Sequence, residues 1–150
     1  MKFLKANTAM LAIVCIGIVL VSGCGGGGGG SSKEDTAAPV ITNVNADTSS
    51  LTFKGGNVTI TANVTDDSTI ASVIAVTSKK TSGELVSQEP MTLSSGSTYR
   101  AVVTAPANTT SSALTCTVVV YASDSLGYQS HTQTSFNVPV AGDSPPSDPF

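Results

Sequence analysis

The sequence of 150 residues has few of the side chains that carry chemistry. It contains no tryptophan, one histidine and three cysteines, and only 11% of its residues are charged. Seven Lys and Arg against ten Asp and Glu give a formal net charge of -3, so the chain lacks the basic surface typical of nucleic-acid-binding proteins. One histidine with so few cysteines also excludes a zinc site of the usual ligand spacing. We therefore expect neither a nucleic-acid partner nor zinc.

The N-terminal residues have the composition of an export signal. Lys2 and Lys5 form a positive segment, and residues 10–21 are a twelve-residue apolar run. Such a run is short for a helix that must cross a bilayer, although a membrane anchor is the alternative interpretation. The pattern predicts a cleaved signal peptide over residues 1–23.

The signal ends in Leu20-Val21-Ser22-Gly23-Cys24, which resembles the lipobox of bacterial lipoproteins. The resemblance implies cleavage before Cys24, a diacylglyceryl group on its sulfur and a further acyl chain such as palmitate on its amine. Two or three acyl chains hold a protein firmly on a membrane, whereas one holds it marginally. We therefore expect a lipid anchor in the bacterial cell envelope. Gly25 in place of Asp after the cysteine favours the outer membrane over the inner in a Gram-negative cell.

A glycine-rich stretch follows the cysteine. Residues 25–30 are six consecutive glycines, and residues 31–35 are polar, so the stretch has nothing apolar to bury. No Gly-Lys-Ser/Thr sequence follows the run, which argues against a phosphate-binding loop. Residues 24–38 are predicted to be the lipidated cysteine and a flexible tether, with a reach of roughly 20 Å.

Residues 39–140 have the pattern of one all-β domain. Apolar residues alternate with Thr and Asn from Val58 to Val64, and similar runs recur between Gly, Ser, Asn and Asp turn signals. The pattern predicts about seven antiparallel strands, typical of a two-sheet sandwich, although a closed barrel fits the same periodicity. The Pro-rich residues 141–150 are predicted to be a disordered tail.

Two segments of this domain are similar to bacterial immunoglobulin-like domains. Residues 55–73 resemble their B–C hairpin, and residues 118–127, with the pattern V-x-A-x-D-x-x-G, resemble their F–G region. Fibronectin-III-like and cadherin-like domains share these patterns. The resemblance implies a single immunoglobulin-like β-sandwich, placed after a cleaved signal peptide and a Gly-rich linker.

The domain offers little for catalysis. Cys15 leaves with the signal and Cys24 carries lipid, so Cys116 is the only thiol and no disulfide can form within the domain. Cys116 lies on the apolar phase of a strand and is predicted to be buried, whereas His131 lies among Ser, Thr and Gln and is predicted to be solvated. No G-x-S-x-G sequence is present to activate a serine. We expect no catalytic residues, and no cofactor other than the lipid on Cys24.

Loop carboxylates raise the question of calcium. Asp66, Asp67 and Asp124 are the candidate ligands, because calcium takes six to eight oxygens and carboxylates supply them well. Aspartates also cap turns through their own side chains, and no D-x-[DN]-x-[DN]-G loop is present. The prediction is therefore that no metal binds, with these three residues as the calcium ligands if it is wrong.

These observations predict a lipid-anchored cell-envelope protein with a structural or protein-interaction role and no enzymatic activity. The membrane is the expected partner of the lipid, and an envelope protein or a glycan is the possible partner of the domain. The alternative is a carbohydrate- or adhesion-ligand-binding module at the cell surface, with Tyr121 and Tyr128 as exposed aromatic residues. An enzyme is the third possibility, and it would have to work with Ser, Thr and Asp alone.

Overall fold

The computed structural model describes residues 35–142, and this part of the chain is all-β. The predicted signal peptide, Cys24, the glycine run and residues 143–150 of the predicted tail lie outside the described residues. Within residues 35–142 there is no helix with the length and apolarity needed to cross a membrane.

Eight strands form two four-stranded antiparallel sheets. The first sheet has the order β1-β2-β6-β5 and the second the order β4-β3-β7-β8. The strands are β1 (Val40–Ala46), β2 (Gly56–Thr65), β3 (Ile70–Lys79), β4 (Leu85–Pro90), β5 (Thr92–Ser95), β6 (Thr98–Ala105), β7 (Leu114–Asp124) and β8 (Gln129–Val138). The prediction of an all-β sandwich is confirmed, and the barrel alternative is wrong because the strands divide between two sheets.

The structure has one strand beyond the seven predicted. All four residues of β5 are exposed, so this short edge strand has no apolar alternation, and Ser94-Ser95-Gly96 reads as a turn. β8 ends at Val138, earlier than the alternation through Val140 indicates. Pro139 follows, and proline has no N–H with which to continue a ladder.

The core lies between the two sheets and consists of small side chains. Every second residue of β2 is buried, as the alternation of Val58, Ile60, Ala62 and Val64 predicts. β7 buries Cys116 and four further residues in the same way, and Phe136 of β8 is the largest fully buried side chain. The small side chains of this core follow from a sequence in which valine and alanine occupy most inward positions.

A segment after β1 joins the two sheets. Ser50 forms a parallel bridge with Asn137 of β8. The N–H of Leu51 donates to the Asn137 carbonyl at 2.8 Å, and the N–H of Asn137 donates to the Ser49 carbonyl at 2.9 Å. Because these bonds use groups that an edge strand would otherwise leave free, the segment protects part of the β8 edge.

Candidate functional site

Three segments meet at one end of the sandwich: the residues before β1, the β2–β3 turn and the β7–β8 turn. The register places them together, since Val40 pairs with Thr65 and Ile70 pairs with Asp124. The N–H of Ser125 also donates to the Thr69 carbonyl at 2.9 Å, which joins the two turns. We call this region the acidic end, defined by Asp35, Asp66 and Asp124.

The three carboxylates of the acidic end lie close together. One oxygen from each of Asp35, Asp66 and Asp124 lies within 4.8 Å of the other two. Two of the three predicted calcium candidates, Asp66 and Asp124, therefore come together. Asp67 is exposed and is not part of the cluster. Asp35 takes its place, and sequence reasoning missed it because it follows the glycine run and reads as part of the tether.

Asp124 is the most deeply placed of the three. It ends β7 on the same inward phase as Ala122, and only 3% of its surface is exposed. Its Oδ1 accepts the N–H groups of Leu126 at 2.8 Å and Tyr128 at 2.9 Å, so it caps the β7–β8 turn. Its Oδ2 is buried and has no hydrogen-bond partner. A buried carboxylate oxygen without a donor or a cation is costly.

Asp35 likewise has a hydrogen-bond partner for only one of its two carboxylate oxygens. Its Oδ1 accepts the N–H of Ala37 at 2.9 Å, and this bond lowers the pKa of Asp35 below its ordinary value. Its Oδ2 is buried without a partner. The third carboxylate, Asp66, accepts the hydroxyl of Ser68 through Oδ2. The acidic end thus brings three carboxyl groups together, and two buried oxygens in it have no donor.

The opposite end of the sandwich has a buried polar residue of a different kind. Asn108 is 3% exposed and lies in the loop between β6 and β7. Its Nδ2 donates to the carbonyls of Ser112 at 2.8 Å and Val138 at 3.0 Å. Its Oδ1 accepts both the N–H and the hydroxyl of Thr110. We call this the Asn108 end. In the sequence Asn108-Thr-Thr reads only as a glycosylation sequon, which gives no sign of this structural role.

A glycine beside Asn108 has a conformation that no other residue fits. Gly55 has φ of 73°, and a Cβ built there would lie 2.4 Å from the carbonyl oxygen of Ala105 and 2.6 Å from atoms of Pro106. The close approach of two backbone segments therefore requires glycine at this position. It follows that the Asn108 end is held by backbone packing as well as by hydrogen bonds.

The thiol of Cys116 and the imidazole of His131 lie in different environments. Cys116 is fully buried on the inward face of β7, and burial raises its pKa. His131 is exposed on β8, where its ring lies 5.5 Å from that of Tyr121. Both placements match the predictions, and the structure does not bring Cys116 and His131 together.

The two predicted exposed tyrosines are both exposed in the structure. Tyr121 is 44% exposed on the outward phase of β7. Tyr128 is 41% exposed, and its carbonyl accepts the N–H of Asp124 at 3.1 Å. Tyr121 therefore lies on a strand, whereas Tyr128 lies in the β7–β8 turn just before β8.

An open groove lies between the β4 edge and the end of β6. Its volume is about 430 Å³, and Lys79 forms an ion pair with Glu84 at its rim, 2.8 Å apart and exposed to solvent. Leu85, Thr104 and Pro106 also line it.

No protein-family model matches the chain, and a comparison with curated proteins finds none of similar sequence. The class of protein is therefore defined by the fold alone, as an antiparallel β-sandwich of two four-stranded sheets.

Proposed function

We propose that this protein is a lipoprotein of the bacterial cell envelope whose single immunoglobulin-like domain has a structural or protein-interaction role. The observation that carries the proposal is the sequence order at the N-terminus. Lys2 and Lys5 precede an apolar run, which leads into Leu20-Val21-Ser22-Gly23-Cys24 and then six glycines. Each part has the position that export, lipidation and tethering require.

The strand order supports the immunoglobulin-like assignment. If the strands are lettered in chain order with β4 as an extra strand C′, the two sheets become A-B-E-D and C′-C-F-G. Constant-type immunoglobulin domains have the orders A-B-E-D and C-F-G. Domains of this class recur in proteins of unrelated function, so the fold favours a binding or structural module without specifying its ligand.

The outer faces of the sheets support a role without catalysis. Neighbouring strands are joined on their exposed sides by hydroxyl-to-amide bonds. The donors and acceptors are Thr98 to Asn63, Thr104 to Asn57, and Thr115 to Asn137, each at 2.9 Å. Such a surface offers shape and hydrogen bonds to a partner, with few groups able to transfer a proton or attack a substrate.

The lipid anchor is tested by replacing the modified cysteine. The full-length protein and its Cys24→Ser variant are produced in a bacterium supplied with a labelled fatty acid. We expect the parent protein to carry the label and to sediment with membranes, and Cys24→Ser to lose the label, because the serine hydroxyl does not form the thioether. Cys15→Ser is the matched control, since Cys15 lies within the apolar run, and it should retain the label.

Mass spectrometry of the purified protein gives an independent readout. If residues 1–23 are removed and Cys24 is lipidated, the denatured protein should contain one alkylatable thiol, that of Cys116. Label on Cys24→Ser, or three free thiols in the membrane-bound parent protein, would contradict the anchor.

A further inference from the structure

The acidic end combines three carboxylates with a buried oxygen that no protein group satisfies. Like charges within 4.8 Å of one another repel, and the only ion pair among residues 35–142, Lys79–Glu84, involves none of the three. The buried Oδ2 of Asp124 has no donor, and only 3% of the surface of this residue is exposed. An arrangement of this kind is stable when a cation supplies the missing partner.

We propose that the acidic end is a calcium-binding site formed by Asp35, Asp66 and Asp124. The three side chains provide oxygen ligands only, which calcium prefers, whereas zinc and copper select nitrogen or sulfur ligands. The spacing also fits, because two oxygens on opposite sides of a calcium ion are about 5 Å apart when each Ca–O distance is about 2.4 Å. The oxygens of the cluster, all within 4.8 Å of one another, can therefore surround a single ion.

The hydrogen bonds of the cluster are compatible with ligation. Oδ1 of Asp124 and Oδ1 of Asp35 are occupied by backbone N–H groups, and these bonds fix the orientation of each carboxylate. The second oxygen of each remains without a partner and is available to the metal. Outer partners that hold a ligand in place in this way are a regular feature of protein metal sites.

The position of Asp35 gives the ion a mechanical role. Asp35 precedes β1, Asp66 belongs to the β2–β3 turn, and Asp124 belongs to the second sheet. One ion bound to all three would therefore fix the segment before β1 to both sheets. That segment is the one by which the domain joins its predicted tether, so calcium would make the junction rigid. The site itself does not depend on lipidation of Cys24.

The test uses the full-length protein, purified in a mild detergent and stripped of metal with a chelator. We expect about 5 mM calcium chloride, a concentration suited to sites of extracellular modules, to raise Tm by roughly 5 °C. Isothermal titration should give one calcium per chain. Magnesium chloride at the same concentration should have a smaller effect, because its shorter bonds and strict octahedral geometry fit the cluster less well.

Three variants assign the site. Asp66→Asn and Asp35→Asn should each weaken calcium binding by about tenfold or more. Asp35 precedes the first strand and Asp66 lies in a turn, so either variant remains informative if the other fails to fold. Asp67→Asn is the matched control, because Asp67 is adjacent to Asp66 and exposed but outside the cluster; it should bind as the parent does.

Two results would overturn the proposal. One is a Tm for the parent protein that calcium leaves unchanged, with no heat in the titration. The other is full calcium binding by Asp35→Asn, which would show that the ion does not lie between the segment before β1 and the two turns.

Discussion

The two ends of the sandwich differ in how completely a buried polar side chain is hydrogen-bonded. At the Asn108 end, the amide of Asn108 uses both its nitrogen and its oxygen in hydrogen bonds to Ser112, Val138 and Thr110. At the acidic end, Asp124 is equally buried but uses only Oδ1, and Oδ2 has no partner. Asn108 and Asp124 are equally buried, and the difference lies in whether the protein alone completes their hydrogen bonds.

The difference indicates that folding alone completes the hydrogen bonds of the Asn108 end, whereas the acidic end keeps buried oxygens without a partner. A buried polar group that is fully hydrogen-bonded stabilises a single arrangement, whereas a buried carboxylate oxygen without a partner lowers the stability of the fold. The Asn108 end is therefore complete without any ligand. The acidic end is the part of the domain where stability should respond to what is bound.

The largest expected effect is that of Asn108→Ala. The substitution removes the amide that bonds the carbonyls of Ser112 and Val138, and it leaves the buried Val138 carbonyl without this donor. We expect the free energy of unfolding to fall by about 3 kcal/mol, whether calcium or chelator is present. Urea unfolding followed by circular dichroism measures it.

The control for this substitution is Asn57→Ala. Asn57 also lies in a sequon, but it is exposed and accepts a single bond from Thr104. Its loss should cost about 0.5 kcal/mol. Equal losses for the two variants would mean that the buried amide contributes no more than an exposed one, and the contrast between the two ends would then be lost.

A smaller effect of opposite sign is expected at the acidic end. In chelator, Asp66→Asn removes one of three clustered charges, while its amide oxygen can still accept the hydroxyl of Ser68. Like charges about 4 Å apart repel by about 1 kcal/mol even in water, so we expect the free energy of unfolding to rise by about 1 kcal/mol. In calcium the same variant should be less stable than the parent, because it loses a ligand.

The change of sign between chelator and calcium is the informative result. Asp67→Asn, which alters an exposed neighbour, should change the free energy of unfolding by less than about 0.5 kcal/mol under both conditions. If Asp66→Asn were destabilising in chelator as well, repulsion would not be the dominant property of the cluster, and the contrast with Asn108 would reduce to ordinary hydrogen bonding.

The two ends also differ in how well the sequence predicts them. Alternation of Val58, Ile60 and Ala62 predicts the strands and their buried face, because a period of two is a local property of the chain. Proximity of Asp35 to Asp124 is not local, since it depends on the register between strands. The sequence does not indicate that Asn108 is buried, because Asn-Thr-Thr has the same letters whether the asparagine is buried or lies in an exposed glycosylation sequon. The short strand Thr92–Ser95 was missed because none of its side chains is buried.

The smallest expected effect concerns a buried polar group that carries no charge. Thr77 is fully buried on the inward phase of β3, and its hydroxyl has no hydrogen-bond partner. Thr77→Val replaces that hydroxyl with a methyl group of similar shape, so we expect the free energy of unfolding to rise by about 0.5–1 kcal/mol, equally in calcium and chelator. Thr115→Val is the control, because the Thr115 hydroxyl donates to Asn137 at 2.9 Å on an exposed face, and the variant should be slightly destabilised.

Comparison of Thr77→Val with Asp66→Asn separates a buried group that lacks a partner from a cluster that binds one. The stability of Thr77→Val should rise equally in calcium and chelator, whereas the stability change of Asp66→Asn should reverse its sign between them. A loss of stability in Thr77→Val would instead show that its hydroxyl is satisfied within the core.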